Sequence, residues 1–421
     1  RHALGFGWAQ GPFETWQAAG WSDIAQAVAA DIAAGKTMAS VPLPAWALEA
    51  GRTGVHAAEG SYSASKNTYV PRSTLPVYQR QLFPERVLGE AAPDAGVTLW
   101  ENEGVRLWNL PAKDARIGIL SFKSKMHAIG DEVLDGVLEA VARAERDLDG
   151  LVIWHEAPFA VGANLAQVAE ACKAGRFDML EKTVAKFQRA SMALKHAMVP
   201  TVAAVQGMAL GGGCEFVMHA SHRVLALESY VGLVEAGVGL IPAGGGCKEF
   251  ALQAASLASR AAGGDVFPFI QNMFQTISMA NVSKSALQAV ELGFARASDD
   301  IVFNARELLH VALHRARAIA ESGYQPPLVQ RAVTVAGRNG IATCEMMLIN
   351  MKEGGFISAW DYRVARAAAT ALCGGEVDTN AKVPEQWILD VERAQFLDLL
   401  KTEQTQQRIV HMLETGKPLR N

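Results

Sequence analysis

Two glutamates, Glu215 and Glu235, stand in or beside a glycine-rich stretch whose residue types suit proton transfer next to a bound anion. Residues 201–205 read as a strand, which runs through Gln206 and Gly207 into Gly211, Gly212 and Gly213 before a helical run over 214–220. Glycines let backbone N–H groups come close to a ligand, and the helix dipole adds partial positive charge where those groups point. Such a turn would stabilise an enolate oxygen. Two plainer readings compete with this one. The glycines could serve only helix–sheet packing, or they could form a dinucleotide-binding turn, which needs an acidic residue at the end of a second strand. Glu235 is spaced for that role, yet it follows Tyr230-Val231-Gly232-Leu233-Val234 and precedes Gly237 and Gly239, a loop context. Alone, Glu215 would be a helix N-terminal carboxylate and Glu235 a solvated loop residue.

The elements around this stretch alternate. Short apolar strands are expected at 105–110, 117–122, 151–155, 201–205 and 223–227, with helices at 131–147 and 179–196 between them, the signature of ββα and βα units. Upstream, 16–34 has a helical pattern and 41–93 is dense in Pro, Gly, Ser and isolated aromatics. Downstream of about 248 helices dominate, and 385–413 reads as one amphipathic helix stopped by Gly416 and Pro418. Three segments are expected: 1–95, partly helical with a connector; 96–322, an α/β core; and 323–421, a helical extension.

Composition excludes several classes. Net charge is −4 without a long Lys/Arg run, so there is no electrostatic footprint for nucleic acid or an anionic membrane surface. Apolar runs such as 199–210 are interrupted by Pro, Gln or Gly short of the roughly 18 residues of a membrane span. Five cysteines form no CxxC pair and no Cys/His cluster of zinc spacing, so no metal is expected, and an odd count suits a reducing, cytoplasmic location. Cys214 and Cys247 lack a paired base and His219 and His222 lack a serine elbow, so all four read as structural.

Gly207-Met208-Ala209-Leu210-Gly211-Gly212-Gly213-Cys214-Glu215, then Val231-Gly232-Leu233-Val234-Glu235, then Gly239-Leu240-Ile241-Pro242-Ala243-Gly244-Gly245-Gly246 together resemble the signature of the crotonase (enoyl-CoA hydratase/isomerase) superfamily. Pro158-Phe159-Ala160-Val161-Gly162-Ala163-Asn164-Leu165 looks like the family's other hallmark loop. The resemblance implies an α/β fold with a crotonase-type ββα spiral core, a helical N-terminal remnant and an extended helical C-terminal region. It implies backbone amides of Ala163 and Gly212 as an oxyanion hole, with Glu215 activating the water that adds to C3 of an enoyl-CoA and Glu235 protonating C2. Hydratases of the family keep both glutamates. Isomerases often keep one, which leaves isomerisation, or a non-catalytic module, as alternatives.

Val161 and Leu165 would border the acyl-CoA, Lys125 stands where the family often has a residue of the CoA channel, and Ala243 replaces a usual Gly. Asn164 replaces a usual Asp. The partner implied is an acyl-CoA substrate, with a homo-oligomer possible and no cofactor in this chain. Gly5-Phe6-Gly7-Trp8 with the run from Gly11 to Trp16 resembles a segment of the helical domain of 3-hydroxyacyl-CoA dehydrogenases, and 389–421 looks like the tail of bacterial fused dehydrogenase/hydratase proteins. The chain, which opens without Met, is therefore expected to be a fragment of a multifunctional β-oxidation enzyme whose missing upstream dehydrogenase part would take NAD.

Overall fold

The computed structural model describes residues 10–83 and 96–421, which fall into two compact units. The motif at residues 5–8 and the expected boundary at 95 lie outside or at the edge of these residues.

In the first unit, helices α1 (Pro12–Ala18) and α2 (Trp21–Ala33) replace the single helix expected over 16–34. Gly20, at φ 95°, is the break: an L side chain rarely adopts that conformation, so the chain turns there. The connector contains a three-stranded antiparallel sheet, β1 (His56–Ala57), β2 (Gly60–Ser63) and β3 (Thr68–Val70). Trp21 is buried against Ala25, Ala47 and Val55, and its indole N–H donates to the Ala47 carbonyl at 2.9 Å. The Arg52 guanidinium lies 3.8 Å from the centre of the Tyr62 ring, a cation–π contact.

The second unit is built on a seven-stranded sheet in the order β10-β9-β8-β7-β6-β5-β4. β4 (Val97–Glu101), β5 (Val105–Leu110) and β6 (Asp114–Phe122) are antiparallel; β7 (Gly150–Ile153), β8 (Thr201–Leu210), β9 (His222–Gly232) and β10 (Asp300–Val302) continue in parallel. The parallel crossovers run through α3 (Asp131–Asp147), α4 (Leu165–Lys173), α5 (Phe177–His196) and α6 (Gly212–His219). This is the expected ββα and βα alternation. β7 is buried along its whole length, as a central parallel strand covered on both faces must be.

The chain then forms α7 (Gly246–Arg260), α8 (Phe267–Ser278), α9 (Ala286–Glu291), α10 (Leu308–Glu321), α11 (Gly337–Glu353), α12 (Ala359–Leu372), α13 (Glu385–Leu400) and α14 (Glu403–Thr415). The single helix expected over 385–413 is two, broken at Lys401–Thr402, where Thr402 takes an extended conformation and leads into α14. Residues 323–421, separated from 96–322 on sequence grounds, share one compact unit with them. Leu399, Leu400 and Ile409 are buried in the same hydrophobic core as the strands. Long-range side-chain bonds reinforce this: the Gln188 amide on α5 donates to the Leu389 carbonyl on α13 at 2.8 Å. No helix among the described residues is long and apolar enough to cross a membrane.

Candidate active site

A cavity of about 710 Å³ opens between the loop after β7, the start of α6, the turn after β9 and the C-terminal helices. Ile129, Val161, Ala163, Leu165, Leu240 and Phe396 give it apolar walls, and Glu215 and Glu235 both border it. The sequence-expected Gly212 and Ala243 also border it. Lys125 does not: it is exposed, on the single turn Lys125–His127.

Backbone pairing explains how Ala163 and Gly212 come together. The loop after β7 pairs with the C-terminal half of β8, Phe159 N–H donating to the Gln206 carbonyl and Ala160 N–H to the Met208 carbonyl, both at 3.0 Å, while Leu210 N–H donates back to Ala160 at 2.9 Å. Ile129 then brackets the next residues: its N–H donates to the Gly162 carbonyl at 2.8 Å and its carbonyl accepts from Asn164 N–H at 3.0 Å. Between them, the Ala163 N–H donates to no acceptor among the described residues. Gly212 is the first residue of α6, so its N–H has no partner within the helix. The two segments touch: a Cβ added to Gly162 would lie 3.6 Å from the Gly212 nitrogen. Both residues border the cavity, Gly212 at a helix start, where an unpaired amide favours an anion.

Asn164 caps α4, its side-chain oxygen accepting from Gln167 N–H at 3.3 Å. Asn does this as well as Asp.

The carboxylates sit in unlike surroundings. Glu215, in the first turn of α6, is buried, and its Oε1 accepts from Gly244 N–H at 2.7 Å and Gly246 N–H at 2.8 Å. Burial pushes its pKa up to about 7, against the downward pull of those two amides and of the Lys248 charge. Glu235 begins the turn Glu235–Val238 just past β9. Its Oε2 is buried without a hydrogen-bond partner among the described residues, and burial together with the Glu215 charge holds its carboxyl well above the usual range. The two groups thus titrate as a pair, with both carboxyls held above the ordinary range by burial and with Glu215 alone held by two backbone amides.

The glycine loop shapes this pair. A Cβ on Gly244 would come within 2.5 Å of both Glu215 Oε2 and the Phe187 ring. The amides holding Glu215 are those of Gly244 and Gly246, with Ala243 forming cavity wall beside them.

Sequence reasoning missed several contributors. Phe187 on α5, Phe396 on α13, and Met412 and Pro418 at the C-terminal end border the cavity, yet read as ordinary core or tail residues in a one-dimensional pattern. Glu392 on α13 is fully buried, one oxygen accepting from Gly245 N–H at 2.6 Å and the other from Lys248 N–H at 2.9 Å. No local motif marks it.

The residues read as structural behave so. His219 Nδ1 pairs with the Glu215 carbonyl at 2.6 Å and Nε2 with Lys248 Nζ at 2.9 Å, and burial lowers its pKa to about 3. His222 faces Asp300 at 3.0 Å. All five cysteines are free and buried, and burial pushes the Cys214 and Cys247 thiols well up, away from the thiolate a nucleophile needs. Among the described residues, no group of three or more His, Cys, Asp or Glu is arranged to hold a metal ion.

Fold and site together give an α/β protein in which the Ala163 and Gly212 backbone and two buried carboxyl groups border one apolar cavity. Residues 114–260 match the enoyl-CoA hydratase/isomerase family. A "Probable 3-hydroxyacyl-CoA dehydrogenase" of Bacillus subtilis is 34% identical over 99% of this chain and 50% of its own length. A "Fatty acid oxidation complex subunit alpha" of Idiomarina loihiensis is 29% identical over 68% of this chain and 37% of its own. The chain thus spans half the length, or less, of these curated relatives. Among solved structures, an enoyl-CoA hydratase from Bacillus halodurans aligns with a TM-score of 0.48 at 14% identity, over 73% of this chain and 98% of its own.

Proposed function

We propose that this chain hydrates 2-enoyl-CoA thioesters reversibly to 3-hydroxyacyl-CoA. The observation that carries the reading is the pairing of two differently tuned carboxyl groups with two outward amides around one cavity. The thioester carbonyl docks on the amides of Ala163 and Gly212. Glu215 removes a proton from water as the water oxygen bonds to C3; the electron pair of the C2–C3 double bond moves toward the carbonyl, whose growing negative charge the amides stabilise. Glu235 then delivers its proton to C2. Losing one such preorganised donor costs roughly 3 kcal/mol of barrier, so the hole and the carboxylates are both needed for a useful rate.

Val161, Leu165 and Ala243 are assigned to the acyl path, and the exposed Lys125 to a CoA phosphate. The reaction consumes only the thioester and water, so this chain needs no cofactor of its own. Because the Bacillus relative is twice as long and is named for a dehydrogenase, we further propose that the natural polypeptide couples this hydratase to NAD-dependent oxidation of its 3-hydroxyacyl product, in fatty-acid oxidation in the cytoplasm.

The test is turnover of crotonyl-CoA, followed by loss of the conjugated thioester absorbance. Hydration that is lost in Glu215→Gln and in Glu235→Gln is expected. Conversion of 3-enoyl-CoA to 2-enoyl-CoA without hydration would replace this reading by isomerisation, and a folded chain with neither activity would make the domain a non-catalytic module.

A further inference from the structure

The start of α7 is gripped from two sides. Glu215 takes the N–H groups of Gly244 and Gly246 on a single oxygen, and Glu392, reaching in from α13, takes those of Gly245 and Lys248, one on each oxygen. The donors interleave along the chain: 244 and 246 to one carboxylate, 245 and 248 to the other. Amides near a helix start have no intrahelical acceptor, so a buried loop of this kind stays in place only while side chains satisfy them. Glu392 is 0% exposed and has both oxygens committed, so it has none left for a substrate. Glu215 is different: Oε2 is its uncommitted oxygen.

Resting on the hydratase reading, we infer that Glu392 is a positioning residue for catalysis: by fixing Gly245 and Lys248 it holds the neighbouring amides of Gly244 and Gly246, and through them aims Glu215 Oε2 into the cavity. Gly245 is at φ 111°, open to glycine, and its peptide joins the two amides that Glu215 uses. The charged and titratable groups facing Glu392 are Glu215 on α6 and Cys247 and Lys248 on α7; burial and the Glu215 charge push its carboxyl up, and the two amides and Lys248 pull it down. The Lys248 amine, bonded to His219 and Glu249, only donates, so it cannot replace Glu392 as the acceptor for these amides.

The experiment compares wild type with Glu392→Gln and Glu392→Ala for crotonyl-CoA hydration, with circular dichroism as the check on folding. Glu392→Ala is expected to lower kcat by about a hundredfold, the scale of loss for an ångström of misplacement, with KM within about twofold because no cavity wall is removed. Glu392→Gln keeps the volume and one acceptor oxygen and falls in between. Hydrogen exchange at residues 244–248 is expected to quicken in both variants. A folded Glu392→Ala with wild-type kcat, or unchanged exchange at 244–248, overturns the inference. So does a Glu392→Gln chain that fails to fold, since Glu392 would then be a stability residue. Wild type without turnover sinks the hydratase reading separately, and the exchange measurement still decides whether Glu392 fixes the loop.

Discussion

The segment from β8 to the start of α7 and the pair of C-terminal helices build the same site by opposite means. The first works through backbone: glycines, outward amides and a helix start, all within a few dozen residues of one another. The second works through single side chains that cross the fold, Glu392 to Gly245 over 147 positions and Thr405 to the Gly239 carbonyl over 166. Backbone devices can be read locally because each needs a particular residue type at a particular step. Side-chain devices of the second kind use residues that in isolation belong on any solvated helix face. The lesson is that the reacting groups and the parts that aim them carry different amounts of sequence information.

Substitutions can break this comparison, beginning with the largest effect. Glu235→Gln removes the proton donor to C2 and is expected to lower kcat by about a thousandfold, within the range of general acid–base contributions. Gly244→Ala comes next: its Cβ meets Glu215 Oε2 and Phe187 at 2.5 Å, so one of them must move, and activity should fall about a hundredfold. Measurement of kcat/KM on crotonyl-CoA checks both: undiminished activity in Gly244→Ala would remove the backbone half of the comparison, and in Glu235→Gln it would remove the proton donor that this half positions.

Thr405→Val tests the other half. It deletes a buried 2.7 Å bond to the Gly239 carbonyl, next to the turn that carries Glu235, and should cost about 1 kcal/mol of stability and a few-fold in kcat. A loss as large as that of Gly244→Ala would show that Thr405, like Glu392, matters to the site as much as the loop does. Lys125→Ala is expected to have the smallest effect, a KM raised by about twofold with kcat unchanged, in line with an exposed charge that meets a phosphate.

Stability sharpens the contrast in another way. Glu215 titrates near 7 when folded against 4.5 for an ordinary glutamate, so between those values the unfolded chain has already released a proton that the folded chain keeps. Folded stability therefore falls as pH rises through that window. Glu215→Gln should melt higher than wild type at about pH 8 and alike at about pH 4, by thermal denaturation. Equal melting temperatures at both would mean that burial of Glu215 carries no such cost.

Much of the fold was legible. β5 and α3 have the expected bounds, and β6, β7, β8 and β9 differ at their ends, because apolar alternation marks where a strand is buried and says less about where pairing stops. β4, β10 and the hairpin sheet β1–β3 were not legible: Val97–Glu101 is largely exposed and the others are two to four residues long, too short for a period to register. Glu215, Glu235, Ala163 and Gly212 were legible through motifs and lie together at the cavity. Glu392 was not, since only the third dimension brings it to the glycine loop.

The most direct test of the paired-carboxylate account is the pH dependence of kcat/KM for crotonyl-CoA hydration by the full chain. The account predicts a rate that rises through about pH 7 as Glu215 ionises, with that ascending limb absent in Glu215→Gln. A rate independent of pH across that range, or a Glu215→Gln enzyme with the wild-type profile and rate, would contradict it.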